Sequence, residues 1–143
     1  MIYINEINNI HIENCFLLDS ETLKMWNIEQ WAQEISKMNT KAFGIFENKK
    51  LIGVCVFQKV ISEAEVTFLT IHPNHQRKGF GEKLINHLLT ICEKENIRRI
   101  ILEVSYKNKE ALYFYEKCGF KTIGLRRKYY RDGSDAILKE KEV

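Results

Sequence analysis

The run His72-Pro73-Asn74-His75-Gln76-Arg77-Lys78-Gly79-Phe80-Gly81-Glu82-Lys83 forces a strand, a basic turn and a helix to follow one another in mid-chain. Before it, Val66-Thr67-Phe68-Leu69-Thr70-Ile71 is β-branched and aromatic and reads as a strand. Pro73 ends that strand, because proline brings no N–H to a ladder. After it, Phe80, Leu84, Leu88 and Cys92 recur at every fourth position with Ile85 and Leu89 alongside, the stripe of an amphipathic helix running to about Asn96. Gly79 and Gly81 therefore stand at the helix start. The first amides of a helix have no partners there and the dipole is positive, so anions are favoured; Arg77 and Lys78 add charge. An ordinary strand-turn-helix junction and a cradle for a phosphorylated ligand both fit. A Walker loop does not, since Gly81 precedes Glu82 rather than Lys-Ser/Thr. Nor does the dinucleotide fingerprint, since Leu84 stands where its third glycine belongs.

The elements around this junction follow from periodicity and turn residues. Ile2-Tyr3-Ile4 is read as a first strand, followed by a helical or mixed segment to about Leu18. Asn27, with Gln30 three positions on, starts a helix through Ile28, Trp31, Ala32 and Ile35. Trp26 and Trp31 are either core residues or a wall over a substrate groove. Strands around 42–46 and 51–60, joined at Asn48-Lys49-Lys50, form a hairpin that turns again near Ser62 into the strand before the glycines. The strand Ile100-Ile101-Leu102-Glu103-Val104 follows the long helix, and a crossover of that length makes the two strands parallel neighbours. Ligands of such sheets lie beyond the strands' C-terminal ends.

Glu103 is a carboxylate in an apolar strand. It is either a residue on a solvated face, a partner of Arg98 or Arg99, or a base whose proton affinity is raised by apolar surroundings. Asn108 caps a helix through Ala111, Leu112, Tyr115 and Cys118 that Gly119 stops. Tyr113, Phe114 and Tyr115 cannot all face one way, so one or two of them look toward a cleft or solvent. Strand 120–125, a turn at Arg131-Asp132-Gly133-Ser134 and strand 136–138 complete the pattern, with residues 139–143 as a polar tail. The basic, tyrosine-containing segment 126–131 reads as charged strand edge with packed tyrosines rather than an RNA platform.

With 143 residues, the chain suits a single domain over 1–143. A net charge of +3 demands no nucleic-acid partner. No apolar run approaches the roughly 20 residues that cross a bilayer, and the N-terminus lacks the basic and apolar regions of a signal peptide, so a cytoplasmic protein is expected. Cys15, Cys55, Cys92 and Cys118 are never paired as Cys-x-x-Cys and read as reduced core thiols. His72 and His75 have no zinc-type partner set, so no metal is expected.

Gln76-Arg77-Lys78-Gly79-Phe80-Gly81 resembles the pyrophosphate-binding signature of the GNAT superfamily of N-acetyltransferases. Further blocks sharpen the likeness: Leu102-Glu103-Val104, Asn108, Tyr113-Phe114-Tyr115-Glu116-Lys117-Cys118-Gly119-Phe120, Arg127-Lys128-Tyr129-Tyr130 and Asp132-Gly133-Ser134-Asp135-Ala136. Together, over about residues 43–138, they resemble the bacterial ribosomal-protein-alanine N-acetyltransferases, the RimI-like family. The resemblance implies a three-layer α/β (α+β) fold whose mixed, mostly antiparallel central sheet holds a central parallel strand pair and is flanked by helices. It also implies acetyl transfer from acetyl-CoA to a protein's N-terminal amine, that of the alanine of a small-subunit ribosomal protein. Apart from the resemblance, a monomer without direct nucleic-acid binding is expected. Main-chain groups of Leu69, Thr70 and Ile71 would hold the acetyl and pantetheine portion. Arg77, Lys78, Gly79, Phe80, Gly81 and Glu82 would hold the pyrophosphate, and Asn108 would contact coenzyme A. Glu103 matches the general base and Tyr115 the general acid. Met25-Trp26-Asn27 departs from the Pro-Trp with a Ser or Thr cap common in that family. A small-molecule amine as acceptor, or a non-catalytic ribosome- or protein-binding role, are the alternatives.

Overall fold

The computed structural model describes residues 1–143. The elements run β1 (Ile2–Glu6), α1 (Ile12–Ser20), α2 (Ile28–Ser36), β2 (Thr40–Glu47), β3 (Lys50–Val60), β4 (Glu63–Ile71), α3 (Phe80–Lys94), β5 (Arg99–Ser105), α4 (Lys109–Lys117), β6 (Lys121–Arg126) and β7 (Ala136–Glu142). They build one seven-stranded sheet in the order β1-β2-β3-β4-β5-β7-β6, antiparallel throughout except for the pair β4 and β5. This is the mixed sheet with a parallel pair that the resemblance implied.

Local chemistry explains most boundaries. The amides of Asn27 and Gln30 are each accepted by the other's side chain, both at 2.8 Å, a reciprocal cap that starts α2. Asn48 and Lys49 turn the β2–β3 hairpin with positive φ values of 49° and 72°. The final strand runs further than the 136–138 expected, because residues 139–143, read as a polar tail, continue β7 to Glu142. Charge does not keep this segment out of the sheet, because its side chains are partnered. Glu140 takes Arg99 at 2.7 Å, and the buried Lys139 ammonium reaches Thr122 Oγ1 at 3.1 Å and Glu116 at 3.5 Å. No helix is long and apolar enough to cross a membrane.

Two cores cover the sheet. Leu84, Ile85, Leu88 and Cys92 of α3 pack with Cys55, Phe57, Ala64, Val66, Ile100, Leu102, Val104 and Tyr115 on one face. Cys15, Leu18 and Trp31 from the first two helices pack with Val54, Val56 and Phe68 on the other. Residues 54–57 of β3 alternate between the cores as a strand buried on both faces must.

Strand β4 changes face partway. Phe57 pairs with Val66 but Val56 pairs with Phe68, which leaves Thr67 as an extra residue. Such a bulge shifts the side-chain phase by one. Ala64 and Val66 accordingly face α3, Phe68 faces the first two helices, and Leu69 and Ile71 face α3 again. The parallel ladder with β5 runs from Glu63 and Arg99 to Val66 and Leu102 and goes no further. Beyond it β4 stays with β3 and β5 stays with β7, so the sheet opens as a wedge.

Candidate active site

The wedge places the edge of Leu69, Thr70 and Ile71 without a ladder on its β5 side, while Cys55, Val54 and Gly53 pair with them on the β3 side. Their backbone is therefore held on one side while no strand pairs with the other, and Ile71 O accepts from Gln76 Nε2 at 3.0 Å. The basic turn lies just past the end of this arm. Arg77 and Gly79 take positive φ values of 63° and 84°. The first bond of α3 runs from Lys83 N to Gly79 O at 3.1 Å, and none of the amides of residues 77–82 donates to a backbone acceptor. Successive free amides at a helix start form an anion-binding concavity.

The two glycines serve different ends. A Cβ on Gly79 would meet nothing within 4 Å, so the backbone, not space, demands glycine there. A Cβ on Gly81 would lie 2.9 Å from the Phe114 ring, so this glycine permits α3 and α4 to touch. Arg77 is exposed and pairs with Glu110 at 3.1 Å, Lys78 is exposed, and Glu82 lies 3.8 Å from Lys117. Phe80 is half-buried against the α3 core. Asn108 caps α4, its Oδ1 accepting from Ala111 N at 3.1 Å.

Tyr115 is buried on the α3 face, edge-on to Phe114 and Phe120 at 5.2 and 5.4 Å. Burial, then Cys55 and Cys118, push its phenol well above the ordinary tyrosine range, so it stays protonated. Tyr113 points to solvent. Glu103 faces away from the core that takes Leu102 and Val104. Its surroundings differ from the apolar setting expected, and its partner is neither Arg98 nor Arg99 but Arg126, with Nε 3.3 Å from the carboxylate. Arg99 is committed instead to Glu63 and Glu140. Tyr130 lies beside Glu103, whose charge, after burial, pushes the Tyr130 phenol up.

Sequence reasoning missed the anchor of the loop before α2. Asp19 is fully buried and accepts from the amides of Met25 and Trp26, both at 2.9 Å, and from Trp31 Nε1 at 3.0 Å. Trp31 is fully buried, and Trp26 leans on it and on Phe68 at 4.8 and 5.4 Å. The available signal was helical spacing: Cys15, Leu18 and Asp19 share one stripe, which puts a carboxylate on an apolar face. His72 and His75, expected as loop residues, lie in a turn and bond to Glu21 at 2.7 Å and Glu47 at 3.1 Å. Of the four thiols, Cys15, Cys55 and Cys92 are buried and Cys118 is half-buried, none of them bridged.

Comparison with known proteins agrees with this architecture. The acetyltransferase (GNAT) family model matches residues 5–120. The [ribosomal protein bS18]-alanine N-acetyltransferase of Escherichia coli strain K12 is 35% identical over 99 residues, 67% of each chain. The crystal structure of the ribosomal-protein-S18-alanine N-acetyltransferase from Escherichia coli superposes with a TM-score of 0.92 at 26% identity, covering 100% of this chain and 94% of that one. A PaiA N-acetyltransferase from Thermoplasma acidophilum, in complex with coenzyme A, shares the fold with a TM-score of 0.81 at 24% identity, over 100% of this chain and 99% of that one. With its family match spanning both arms of the wedge and the glycine turn, this chain belongs to the acetyltransferase (GNAT) family.

Proposed function

We propose that residues 1–143 act as one domain that moves the acetyl group of acetyl-CoA to the N-terminal α-amine of a protein, the alanine of a small-subunit ribosomal protein of the bS18 type. One observation carries the reading: Glu103, the first residue of β5 past the parallel ladder, faces one side of the sheet, while Tyr115 lies on the other, in the core that also takes Cys55, Leu69 and Ile71. An amine on one side and a thioester on the other would then meet between a base and an acid. A cytoplasmic location fits a substrate of that kind.

In this reading the free amides of residues 77–82, with Arg77 and Lys78, hold the pyrophosphate, Asn108 adds a contact at the start of α4, and the open edge of residues 69–71 holds the pantetheine and acetyl portion. Acetyl-CoA supplies an activated acyl group. An N-terminal amine, with a reference pKa of about 8, is mostly protonated at pH 7. Glu103 takes one of its protons, directly or through water, and frees the nitrogen lone pair. As the new C–N bond forms, an amide from residues 69–71 steadies the charge on the carbonyl oxygen. Tyr115 gives its proton to the sulfur as the C–S bond breaks, and the second proton that the nitrogen sheds once it is bonded to carbon restores the phenol. Glu103 then gives up its proton, so the products are an acetylated N-terminus and coenzyme A thiol.

The test is thiol release from acetyl-CoA with a short alanine-initiated peptide that copies the N-terminus of the ribosomal substrate, beside the same peptide blocked at its N-terminus. Release with the free amine only is expected. Release with small polyamines but neither peptide would move the acceptor to the small-molecule class. Tight coenzyme A binding with no turnover of any amine would make the chain a binding module.

A further inference from the structure

Arg126 and Glu103 sit on strands that do not touch each other. Strand β7 lies between β5 and β6, with Ser105, Ala136 and Arg126 aligned across the three strands and Glu103 level with Leu138 and Gly124. Partners aligned across a sheet point to the same face. Two strand spacings of about 4.8 Å each separate the β5 and β6 backbones. Arg126 spans them because the residue beneath it on β7 is the buried, small Ala136. Its Nε then stands 3.3 Å from Glu103, and its guanidinium carbon stands 5.4 Å from the centre of the Tyr129 ring.

We propose that Arg126 is a positioning residue that occupies the acceptor's place on Glu103 until an amine arrives. This rests on Glu103 being the base that receives the acceptor's ammonium. A guanidinium and a protonated N-terminus are both cations that donate to a carboxylate, so they compete for the same oxygen atoms. Arg126 is half-exposed and Glu103 about a quarter exposed, so the pair is screened and exchange is easy. On release the guanidinium keeps the Tyr129 face, and Tyr129 is itself packed edge-on to Tyr130 at 5.2 Å, so the departing cation still has a partner. The exchange moves no net charge into the wedge, since one cation leaves as another enters. It also holds the carboxylate in place when no acceptor is bound.

The experiment is steady-state kinetics of Arg126→Gln and Arg126→Lys with the alanine-initiated peptide, repeated in a Glu103→Gln background. Removing the competing cation should lower KM for the peptide about two- to fivefold, the range that an exposed ion pair allows. KM for acetyl-CoA should not change. Arg126→Lys should behave like the wild type, and in the Glu103→Gln background Arg126→Gln should have no further effect on KM. An unchanged or raised peptide KM in Arg126→Gln would overturn the proposal, a raised one meaning that Arg126 binds the acceptor itself. Full turnover in Glu103→Gln would instead remove the base assignment, a failure read from a different variant.

Discussion

Alanine at position 79 separates the two reasons for a glycine at the start of α3. The φ of 84° lies in the left-handed region, where a Cβ costs about 1–2 kcal/mol. No atom stands within 4 Å of the place a Cβ would occupy, so no clash adds to that figure. The urea midpoint of Gly79→Ala should fall by the equivalent of about 1–2 kcal/mol. The second reason is the row of free amides at 77–82. A hydrogen bond to a charged group is worth about 1.5–3 kcal/mol, so a methyl that blocks or tilts one of them should weaken acetyl-CoA binding about ten- to a hundredfold. Calorimetry on the folded variant reads the affinity and urea denaturation reads the stability. Gly81→Ala is the comparison, since its Cβ would press on the Phe114 ring at 2.9 Å and the cost should fall chiefly on stability. A folded Gly79→Ala protein that binds acetyl-CoA with full affinity would refute the cradle.

Glu103→Gln should lower turnover at neutral pH by about 10²–10⁴-fold while leaving calorimetric acetyl-CoA affinity nearly intact; unchanged turnover across pH 6 to 9 would remove it as the base. Tyr115→Phe should slow turnover by a comparable factor with little change in urea midpoint, and a variant as active as the parent would end its role as acid. Asp19→Asn should cost about 1–3 kcal/mol, because an amide NH₂ must face one of the three donors and leave it unpaired; an unchanged midpoint and tryptophan emission would contradict its role as loop anchor. Burial, with Asp19 second, pushes the Cys15 thiol up to about 12, and burial followed by Glu95 and Glu93 pushes Cys92 up to about 11. Their unfolded forms ionise near 9, so this contribution to stability is whole below pH 9 and is lost as pH rises through 9 to 12. Urea midpoints at pH 8 and 10 should differ in that sense, and a midpoint that rises would contradict the sign.

Much of this arrangement is written in local sequence. The cap at Asn27 and Gln30, the four-residue stripe of α3 and the turn at Asn48-Lys49 are each decided by residues a few positions apart, and each stands where the pattern puts it. The parallel pairing of β4 with β5 follows from a crossover through α3 and needs no further information. What could not be read depends on residues far apart in the chain. Nothing near Lys139 says that Thr122 and Glu116 will meet its ammonium. Nothing near Glu103 says that β7 will lie between β5 and β6, so nearness in sequence offers Arg98 and Arg99 as partners when the partner lies across the sheet at Arg126.

The residue that shapes the wedge is one no motif marks. Thr67 is the extra position in β4, and its hydroxyl donates to Val56 O at 3.3 Å where the register slips. A parallel ladder needs both strands to keep phase, so the slip ends the β5 pairing at Val66. The sheet parts there rather than elsewhere because β5 stays tied to β7 as far as Ser105. Past the slip, Leu69 and Ile71 return to the α3 face, the side from which Tyr115 approaches, while on the other arm strand alternation turns Glu103 the opposite way. The one extra residue thus turns Leu69 and Ile71 toward the face that holds Tyr115, opposite to the face of Glu103. The same geometry argues for direct transfer in the proposed reaction. The thiol facing Leu69 across the ladder is that of Cys55, and burial, with Cys92 second, pushes it far above the range in which a thiolate forms. An acyl-cysteine route would need that thiolate, so attack by the acceptor amine on the thioester is the route the wedge leaves open.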